Sequence, residues 1–348
     1  MLAKEHAVGV SAARQRLMDV IEERLFGFLD AERARWSSVD ERTAVVIDAV
    51  TDLIKAGGKR IRPLFCLSGY LAAGGDPDDQ SVVPAAVALE LLHACALIHD
   101  DVMDESELRR GAPTVHVKHA AEHDGRNWRG EPRRFGESVA ILAGDLALIY
   151  ADRIMADAPP VVDDVWGELR SELIIGQFMD VTAAAEFSAD PELSCWIAVA
   201  KSGRYTIHRP LAVGATIAGR PELAEAFEAY GTALGEAFQL SDDLLDVFGS
   251  STATGKPAGL DFAQHKMTLL LALAMQRDER VRELVSGDVF DAGALRARLV
   301  DSGVRADVEK HLDVLVERGC RAIDDVPLEP GWREELISMA HAVVYRDR

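Results

Sequence analysis

The sequence predicts an all-α protein, and two observations lead to this fold class. Apolar residues recur at three- and four-residue steps through most of the 348 residues, as they do on one face of a helix. The apolar set is dominated by Ala, Leu and Val, which favours helix, and the alternation typical of strands is missing from the sequence. We therefore expect one helical domain over residues 1–348, in which residues 1–12 form a flexible N-terminal tail.

The first half of the chain predicts four helices, delimited by breaks in the apolar pattern. The first covers residues 13–35, and the second covers residues 45–55 and ends at Gly57-Gly58. The third covers residues 63–73 and stops at a turn of Gly and Pro residues. Residues 82–108 are apolar on nearly every side, which predicts one long buried helix.

Two polar segments interrupt the second half of the pattern. Residues 109–135 are basic and rich in Gly, Pro and His, which predicts a long loop, and residues 249–264 predict a second loop. The segments with helical periodicity are 136–157, 162–185, 191–218 and 221–248. From Lys266 onward, shorter helices alternate with breaks such as Ser302-Gly303.

The charge balance excludes several classes of partner. The formal net charge is -20, whereas nucleic acids and anionic membrane surfaces attract clustered Lys and Arg. We therefore expect no nucleic-acid partner. An acidic chain that binds an anionic substrate must supply local positive charge or recruit metal cations.

The compartment is predicted from cysteine usage and hydropathy. Four widely spaced cysteines (Cys66, Cys95, Cys195 and Cys320) indicate neither a zinc site nor a disulfide framework. The N-terminal residues lack the apolar core of a signal peptide, and the apolar segment 139–155 is too short and too charged to span a bilayer. We expect a cytoplasmic protein without stable membrane insertion.

Two aspartate clusters carry the strongest chemical signal. Asp100-Asp101-Val102-Met103-Asp104 and Asp242-Asp243-Leu244-Leu245-Asp246 each end an apolar helical pattern. The first and last carboxylates of each cluster are four residues apart, so they lie on one helix face and repel each other. Mg²⁺ removes this conflict, since it prefers hard oxygen ligands and completes its shell with water and substrate phosphates. One such cluster alone is typical of a solvated helix end, but two matching clusters favour a metal site.

Basic residues near these clusters indicate a phosphate ligand. Gly57-Gly58-Lys59-Arg60-Ile61-Arg62-Pro63 places three cations beside a glycine break, where the backbone can approach a diphosphate closely. Arg109 and Arg110 follow the first cluster, and Lys256 and Lys266 follow the second. Together, metals and cations on several sides would hold one phosphate group.

At this point the sequence resembles the trans-type isoprenyl diphosphate synthases, or polyprenyl synthetases. The matching blocks run in the family's order from about residue 56 to residue 271: 57–63, 91–116, 136–146, 201–203, 238–249 and 254–268. The style is most similar to bacterial geranylgeranyl diphosphate synthases. The resemblance implies an isoprenoid-synthase helical bundle around a deep central cavity, a homodimer, and head-to-tail (1'-4) condensation of isopentenyl diphosphate with an allylic diphosphate.

The resemblance also assigns roles to individual residues. Asp100, Asp104 and Asp242 are expected to hold three Mg²⁺ ions, with Asp101, Asp243 and Asp246 supporting them directly or through water. The allylic diphosphate is assigned to Arg109, Lys201, Lys256, Lys266 and Gln239, and the isopentenyl diphosphate to Lys59, Arg62, His93 and Arg110. Phe238 is expected beside the reacting tails. The catalytic group is Asp100, Asp104, Asp242, Lys201 and Arg109.

The chain departs from the family pattern at two positions. His265 stands where the family commonly has Gly before Lys266, and a charged Arg204 follows Lys201 closely. Both departures bear on the allylic site and leave the aspartate clusters unchanged.

Product length is a packing question in this family, where bulky aromatic residues before the first cluster stop the growing chain. Cys95 and Ala96 stand there and are small, so we expect a tail longer than fifteen carbons, with twenty-carbon geranylgeranyl diphosphate as the product. The alternatives are a shorter- or longer-chain synthase, a class I terpene cyclase or a catalytically silent partner subunit. A cyclase needs no second diphosphate site, and a silent subunit has no need for two complete clusters.

Overall fold

The computed structural model describes residues 2–249, 266–286 and 291–345, with the backbone alone for residues 2–11 and for Ser202. Its secondary structure is almost entirely helical, which confirms the predicted all-α class. Contacts between residues divide the described chain into two compact units. The first unit comprises Ser11–Leu67 and Asp76–Pro160, and the remaining described residues form the second unit.

With one additional helix, the helices up to residue 155 follow the predicted order. They are α1 (Leu2–Ser37), α2 (Val45–Lys55), α3 (Ile61–Ala72), α4 (Val83–Met103), α5 (Val115–Gly125) and α6 (Pro132–Met155). α1 begins at Leu2, so it runs back through the segment that we expected to be a flexible tail. α4 ends five residues earlier than predicted, because Asp104 caps it and Glu105 has a positive φ of 49°.

The predicted loop over residues 109–135 is wrong. A two-stranded antiparallel hairpin, β1 (Leu108–Arg109) and β2 (Ala112–Pro113), is followed directly by α5. The basic composition of the segment hid a helix whose inward face is histidine rather than aliphatic: His119 and His123 are both buried. His123 packs against the aromatic rings of Trp128 and Phe135.

The helices of the second half match the limits predicted for residues 162–185 and 221–248, and no limits were predicted beyond Lys266. They are α7 (Asp163–Ala185), α8 (Pro191–Ala198), α9 (Arg209–Ile217), α10 (Ala224–Phe248), α11 (Leu269–Arg277), α12 (Glu279–Ser286), α13 (Ala292–Asp301), α14 (Val304–Arg321) and α15 (Trp332–Val344). The single helix predicted over residues 191–218 is instead divided, because Val199–His208 is π-helical. Apolar periodicity cannot distinguish a π-helical insertion from an unbroken α-helix.

Glycines set the closest helix approaches in each unit. In the first unit, a side chain at Gly144 of α6 would overlap the His99 ring of α4, and one at Gly136 would overlap the His116 carbonyl of α5. In the second unit, Gly235 of α10 touches Gly203 of the π-helix backbone to backbone. These contacts fix the helices that carry the polar site residues.

One helix, Val83–Met103, is long and apolar enough to cross a membrane by length and composition. Most of its most apolar window is buried inside the protein, as in the core helix of a globular domain. The sequence had singled out residues 139–155 as the most apolar stretch, and that segment does not pass the same test among the described residues.

Candidate active site

The first aspartate cluster lies at the C-terminal end of α4, where its three carboxylates have two different environments. Asp100 and Asp104 are one turn apart and partly exposed, and the Asp104 N–H donates to the Asp100 carbonyl at 2.8 Å. Asp101 is only 2% exposed and points into the fold. The outer pair therefore offers carboxylate oxygens to a ligand, whereas the middle residue is committed inside the unit.

Arg109 satisfies the buried Asp101 carboxylate. Its Nε lies 2.8 Å and 2.9 Å from the two Asp101 oxygens, and its Nη2 lies 2.7 Å from Oδ1. The same Nη2 is 3.7 Å from Asp100. Burial acts to lower the pKa of Arg109, but the bond and charge of Asp101 outweigh it and raise that pKa. Arg109 is thus a fixed cation beside the outer carboxylates.

The β1–β2 hairpin separates Arg109 from Arg110. Arg110 and Gly111 are the central turn residues and have φ of 53° and 77°, the pattern of a two-residue turn with positive φ at both positions. Arg110 reaches away from Asp101 and donates to the Leu53 carbonyl at 3.3 Å. A Cβ at Gly58 would lie 3.0 Å from its guanidinium, so the bare glycine makes room for Arg110.

Three of the residues predicted to bind isopentenyl diphosphate, Arg62, His93 and Arg110, interact electrostatically in the first unit. The pKa of His93 is lowered well below its usual value, chiefly by burial and then by the charges of Arg62 and Arg110. Lys59 is exposed on the loop that leads into α3. The first unit therefore brings Arg62, His93 and Arg110 into one electropositive neighbourhood, in which His93 is neutral at pH 7.

The second cluster lies near the end of α10 and repeats the same division of labour. Asp242 and Asp246 are partly exposed, but Asp243 is 1% exposed. The Asp243 carboxylate accepts a hydrogen bond from Gln239 Nε2 at 2.9 Å and another from the backbone N–H of Leu270 at 3.2 Å. Asp243 therefore joins α10 to the first turn of α11.

Three of the predicted allylic-site residues line one small pocket in the second unit. Lys201, Gln239 and Lys266 surround a cavity of about 90 Å³, with Met267 and Leu269 supplying apolar wall. Lys266 stands two residues before Thr268, the N-cap of α11, and Asp243 anchors Leu270 in the first turn of that helix. Two of the lysines predicted to bind the allylic diphosphate therefore lie on one pocket.

Asp180 of α7 also lines this pocket and was missed by the sequence analysis. Its Oδ2 lies 2.7 Å from Lys201 Nζ, so it orients that lysine in the protein. The available signal was an acidic residue within the apolar run of α7. That signal cannot be separated from an ordinary solvated helix face without the position of Lys201.

Arg204, the charged residue that departs from the family pattern, is engaged by α7. Its Nη1 lies 2.9 Å from Glu172, which also binds Arg209 at 2.6 Å, and its Nη2 lies 3.4 Å from Glu228 of α10. Glu172 therefore connects α7 to Arg204 of the π-helix and to Arg209, the first residue of α9. The other departure, His265, and the allylic-site candidate Lys256 lie outside the described residues.

Carboxylates that could hold a metal ion are distributed over separate helices. Within residues 2–249, 266–286 and 291–345, no group of three or more His, Cys, Asp and Glu side chains is placed to hold an ion by itself. The outer aspartates nevertheless supply the hard oxygen donors that Mg²⁺ takes one or two at a time beside water and phosphate. Their donor chemistry fits a divalent cation that arrives with a phosphate ligand.

Paired aspartate clusters with nearby cations on an all-helical fold define a class of enzymes that work on diphosphates. The family model described as polyprenyl synthetase matches residues 43–296. The chain belongs to the polyprenyl synthetase family and is a prenyltransferase.

Known proteins similar to this chain carry different product lengths in their names. A solved geranylgeranyl pyrophosphate synthase from Corynebacterium glutamicum, complexed with isoprenyl diphosphate and magnesium, is 38% identical with a TM-score of 0.89, over 95% of this chain and 99% of that one. The short chain isoprenyl diphosphate synthase of Methanothermobacter thermautotrophicus is 34% identical over 78% of this chain and 81% of its own length. The nonaprenyl diphosphate synthase of Mycobacterium tuberculosis is 29% identical over 87% of each.

Proposed function

We propose that this prenyltransferase condenses isopentenyl diphosphate 1'-4 with allylic diphosphates and releases geranylgeranyl diphosphate. The observation that carries the proposal is the arrangement, present at both clusters, in which two partly exposed aspartates accompany a buried, anchored one, and Arg109 lies beside the first cluster. A class I terpene cyclase is disfavoured because it would have no use for the second cationic cradle around His93.

The metal-binding role falls to the outer aspartates. We assign Asp100, Asp104 and Asp242 as ligands of three Mg²⁺ ions, with Asp246 acting through water, and this donor set agrees with the magnesium present in the Corynebacterium glutamicum complex. Asp101 and Asp243 support the ions indirectly, since their carboxylates are already bound to Arg109 and to Leu270. When bound, Mg²⁺ would supply positive charge to the departing diphosphate.

The protein's own cations complete the allylic site. Arg109, Lys201, Lys256 and Lys266 bind the allylic diphosphate and stabilise the charge that develops as its carbon–oxygen bond breaks. Gln239 lies on the same pocket as two of these lysines. Phe238 precedes it on α10 and is placed beside the reacting tails. Apolar walls exclude water, which would otherwise trap the allylic cation.

The second substrate is held by Lys59, Arg62, His93 and Arg110. A neutral His93 can donate one hydrogen bond to a phosphate oxygen, while the guanidiniums supply charge. The isopentenyl double bond attacks the allylic cation, a new carbon–carbon bond forms, and a proton leaves to the released diphosphate. Charge and positioning carry the reaction, so no covalent enzyme intermediate is required.

Product length is assigned to the residues one turn before Asp100. Ala96 shares the helix face of Asp100 and is partly exposed, so it is the residue that a tail extending from the metal site meets first. Cys95 is buried and its Sγ lies 3.8 Å from His99 Nδ1. A methyl group at residue 96 supports a twenty-carbon product.

The proposal extends to the whole chain. We assign residues 1–348 to one catalytic domain, because the family match crosses both compact units and the similar structure from Corynebacterium glutamicum covers 95% of the chain. The protein is proposed to act as a cytoplasmic homodimer.

Incubation of the purified protein with Mg²⁺, isopentenyl diphosphate and either dimethylallyl, geranyl or farnesyl diphosphate tests the function. Mass spectrometry sizes the products. A twenty-carbon diphosphate is expected. Longer products would support the condensation reaction but would exclude residue 96 as the residue that stops the growing chain. Failure to elongate any primer would overturn the proposal and favour the silent subunit.

A further inference from the structure

Arg60 stands between the two cations assigned to isopentenyl diphosphate, Lys59 and Arg62, but its side chain turns away from solvent. The guanidinium is 10% exposed, and its Nη1 lies 2.6 Å from Oε1 of Glu90, a residue of α4 that is itself nearly buried. Its Nη2 donates to the Ile54 carbonyl at 3.1 Å. Arg60 therefore binds groups inside the first unit, unlike the neighbouring cations assigned to the substrate.

The backbone at Arg60 shows why such an anchor is needed. Gly57 and Gly58 have φ of 103° and 154°, and Arg60 has φ of 48°, in the left-handed region that residues with a Cβ rarely adopt. Such a conformation persists only when its surroundings hold it. The Glu90 carboxylate and the Ile54 carbonyl grip the Arg60 side chain from α4 and α2, and the Arg60 carbonyl accepts the Leu64 N–H at 2.9 Å to start α3.

Glu90 also has the right position to align the diphosphate cradle. It precedes His93 by three residues on α4, so the two side chains are neighbours on the helix surface. Fixing Arg60 to Glu90 therefore sets Lys59, on the loop before α3, and Arg62, in the first turn of α3, relative to His93. The Glu90 charge also offsets the repulsion within the cluster of arginines: it acts to raise the pKa of Arg110, which burial lowers.

We propose that Arg60 and Glu90 form a positioning pair that holds Lys59 and Arg62 in register with His93. The pair would set the affinity for isopentenyl diphosphate without contacting this substrate. The inference rests on the proposed binding of that substrate by Lys59, Arg62, His93 and Arg110. It differs from a direct role of Arg60 in the predicted effect of removing Glu90.

The test compares Glu90→Gln, Arg60→Lys and a matched control, Glu22→Gln. Glu22 is the more exposed partner of the same arginine, at 3.5 Å. We expect Glu90→Gln and Arg60→Lys to raise the KM for isopentenyl diphosphate on the order of 10-fold or more, with the KM for the allylic substrate and the Mg²⁺ dependence within about 2-fold of wild type. Glu22→Gln is expected to match wild type in all three.

Other outcomes overturn the inference. If Arg60 bound substrate directly, Glu90→Gln would release it and the KM for isopentenyl diphosphate would fall. If the pair only stabilised the fold, the variants would lose melting temperature and active fraction with both KM values unchanged. If the wild-type protein elongates normally and the variants have the same KM for isopentenyl diphosphate, the positioning pair is excluded but the proposed function stands. If the wild-type protein does not elongate any primer, the proposed function itself is excluded.

Discussion

The Asp243 Oδ2 of α10 accepts a hydrogen bond from the backbone N of Leu270 on α11 at 3.2 Å, so one buried side chain ties the second aspartate cluster to the helix that follows Lys266. Adjacent aspartates in this cluster should consequently respond differently to mutation. Asp242→Asn is expected to destabilise the protein less than Asp243→Ala, because Asp242 is partly exposed, and to lower kcat on the order of 100-fold or more, because it removes a carboxylate assigned to the metal.

Asp243→Ala should lower the free energy of unfolding. It leaves the Leu270 N–H and the Gln239 amide without their buried acceptor, which costs about 1–3 kcal/mol for each lost partner. Urea denaturation measures the free energy of unfolding, and steady-state kinetics measures kcat. Equal destabilisation by the two variants would contradict the assignment of Asp243 as an internal anchor.

Arg109→Lys tests the two-pronged bond to Asp101. A lysine cannot reproduce the parallel bonds of a guanidinium, so we expect the KM for the allylic diphosphate to rise by about 10-fold and the stability to fall by about 1–2 kcal/mol. The control is Arg133→Lys, whose partner Glu137 lies on the surface, where an ion pair contributes little. An allylic KM that did not change would show that Arg109 only braces α4.

Ala96→Phe should shorten the product to fifteen carbons or fewer, because the ring would occupy the helix face that leads away from Asp100. Cys95→Phe is expected to behave differently. Cys95 is 5% exposed beside His99, so a ring there overpacks the α4–α6 contact and costs about 1–3 kcal/mol. Product size by mass spectrometry and thermal unfolding of both variants separate the two effects, and unchanged products from Ala96→Phe would exclude residue 96 as the floor.

Much of the fold could be predicted because it rests on apolar periodicity, which is explicit in residues 45–55 and 224–248. Helix α5 could not, because its buried face consists of His119 and His123, and His123 packs against the rings of Trp128 and Phe135, which follow the helix in sequence. The aspartate clusters were visible as spacing. The buried state of Asp101 and Asp243 was not, since it depends on partners 8 and 27 residues away.

The Gly203–Gly235 contact predicts that even a methyl group is excluded beside Lys201. A Cβ at Gly235 would overlap the Gly203 backbone, so Gly235→Ala should destabilise the protein by about 3 kcal/mol or more and reduce activity by displacing the π-helix. Gly167→Ala is the matched control, because nothing lies within 4 Å of its added Cβ in α7. That variant should gain about 0.5–1 kcal/mol from helix propensity, and a similar response at both positions would refute close backbone contact.

Acid sensitivity is expected from His208, whose pKa is lowered to about 4 by burial first and by Arg209 second. In the unfolded chain this histidine takes up a proton near pH 6.5, so the unfolded state binds more protons between pH 6.5 and 4. The free energy of unfolding should therefore fall as the pH drops through 6.5, by about 3 kcal/mol in all from this residue. His208→Gln should flatten that slope relative to wild type, and an unchanged slope would count against a neutral buried His208.

The length of the turn at Arg110-Gly111 affects how the two neighbouring arginines are placed. Because a two-residue hairpin sends neighbouring guanidiniums in opposite directions, Arg109 reaches Asp101 while Arg110 reaches the carbonyl of Leu53. One peptide bond therefore separates the arginine beside Asp101 from the arginine beside Leu53. Insertion or deletion of one residue there would change the turn type and the direction of the Arg110 side chain, so we expect a change in length at this turn to disturb the Arg110 contact with Leu53.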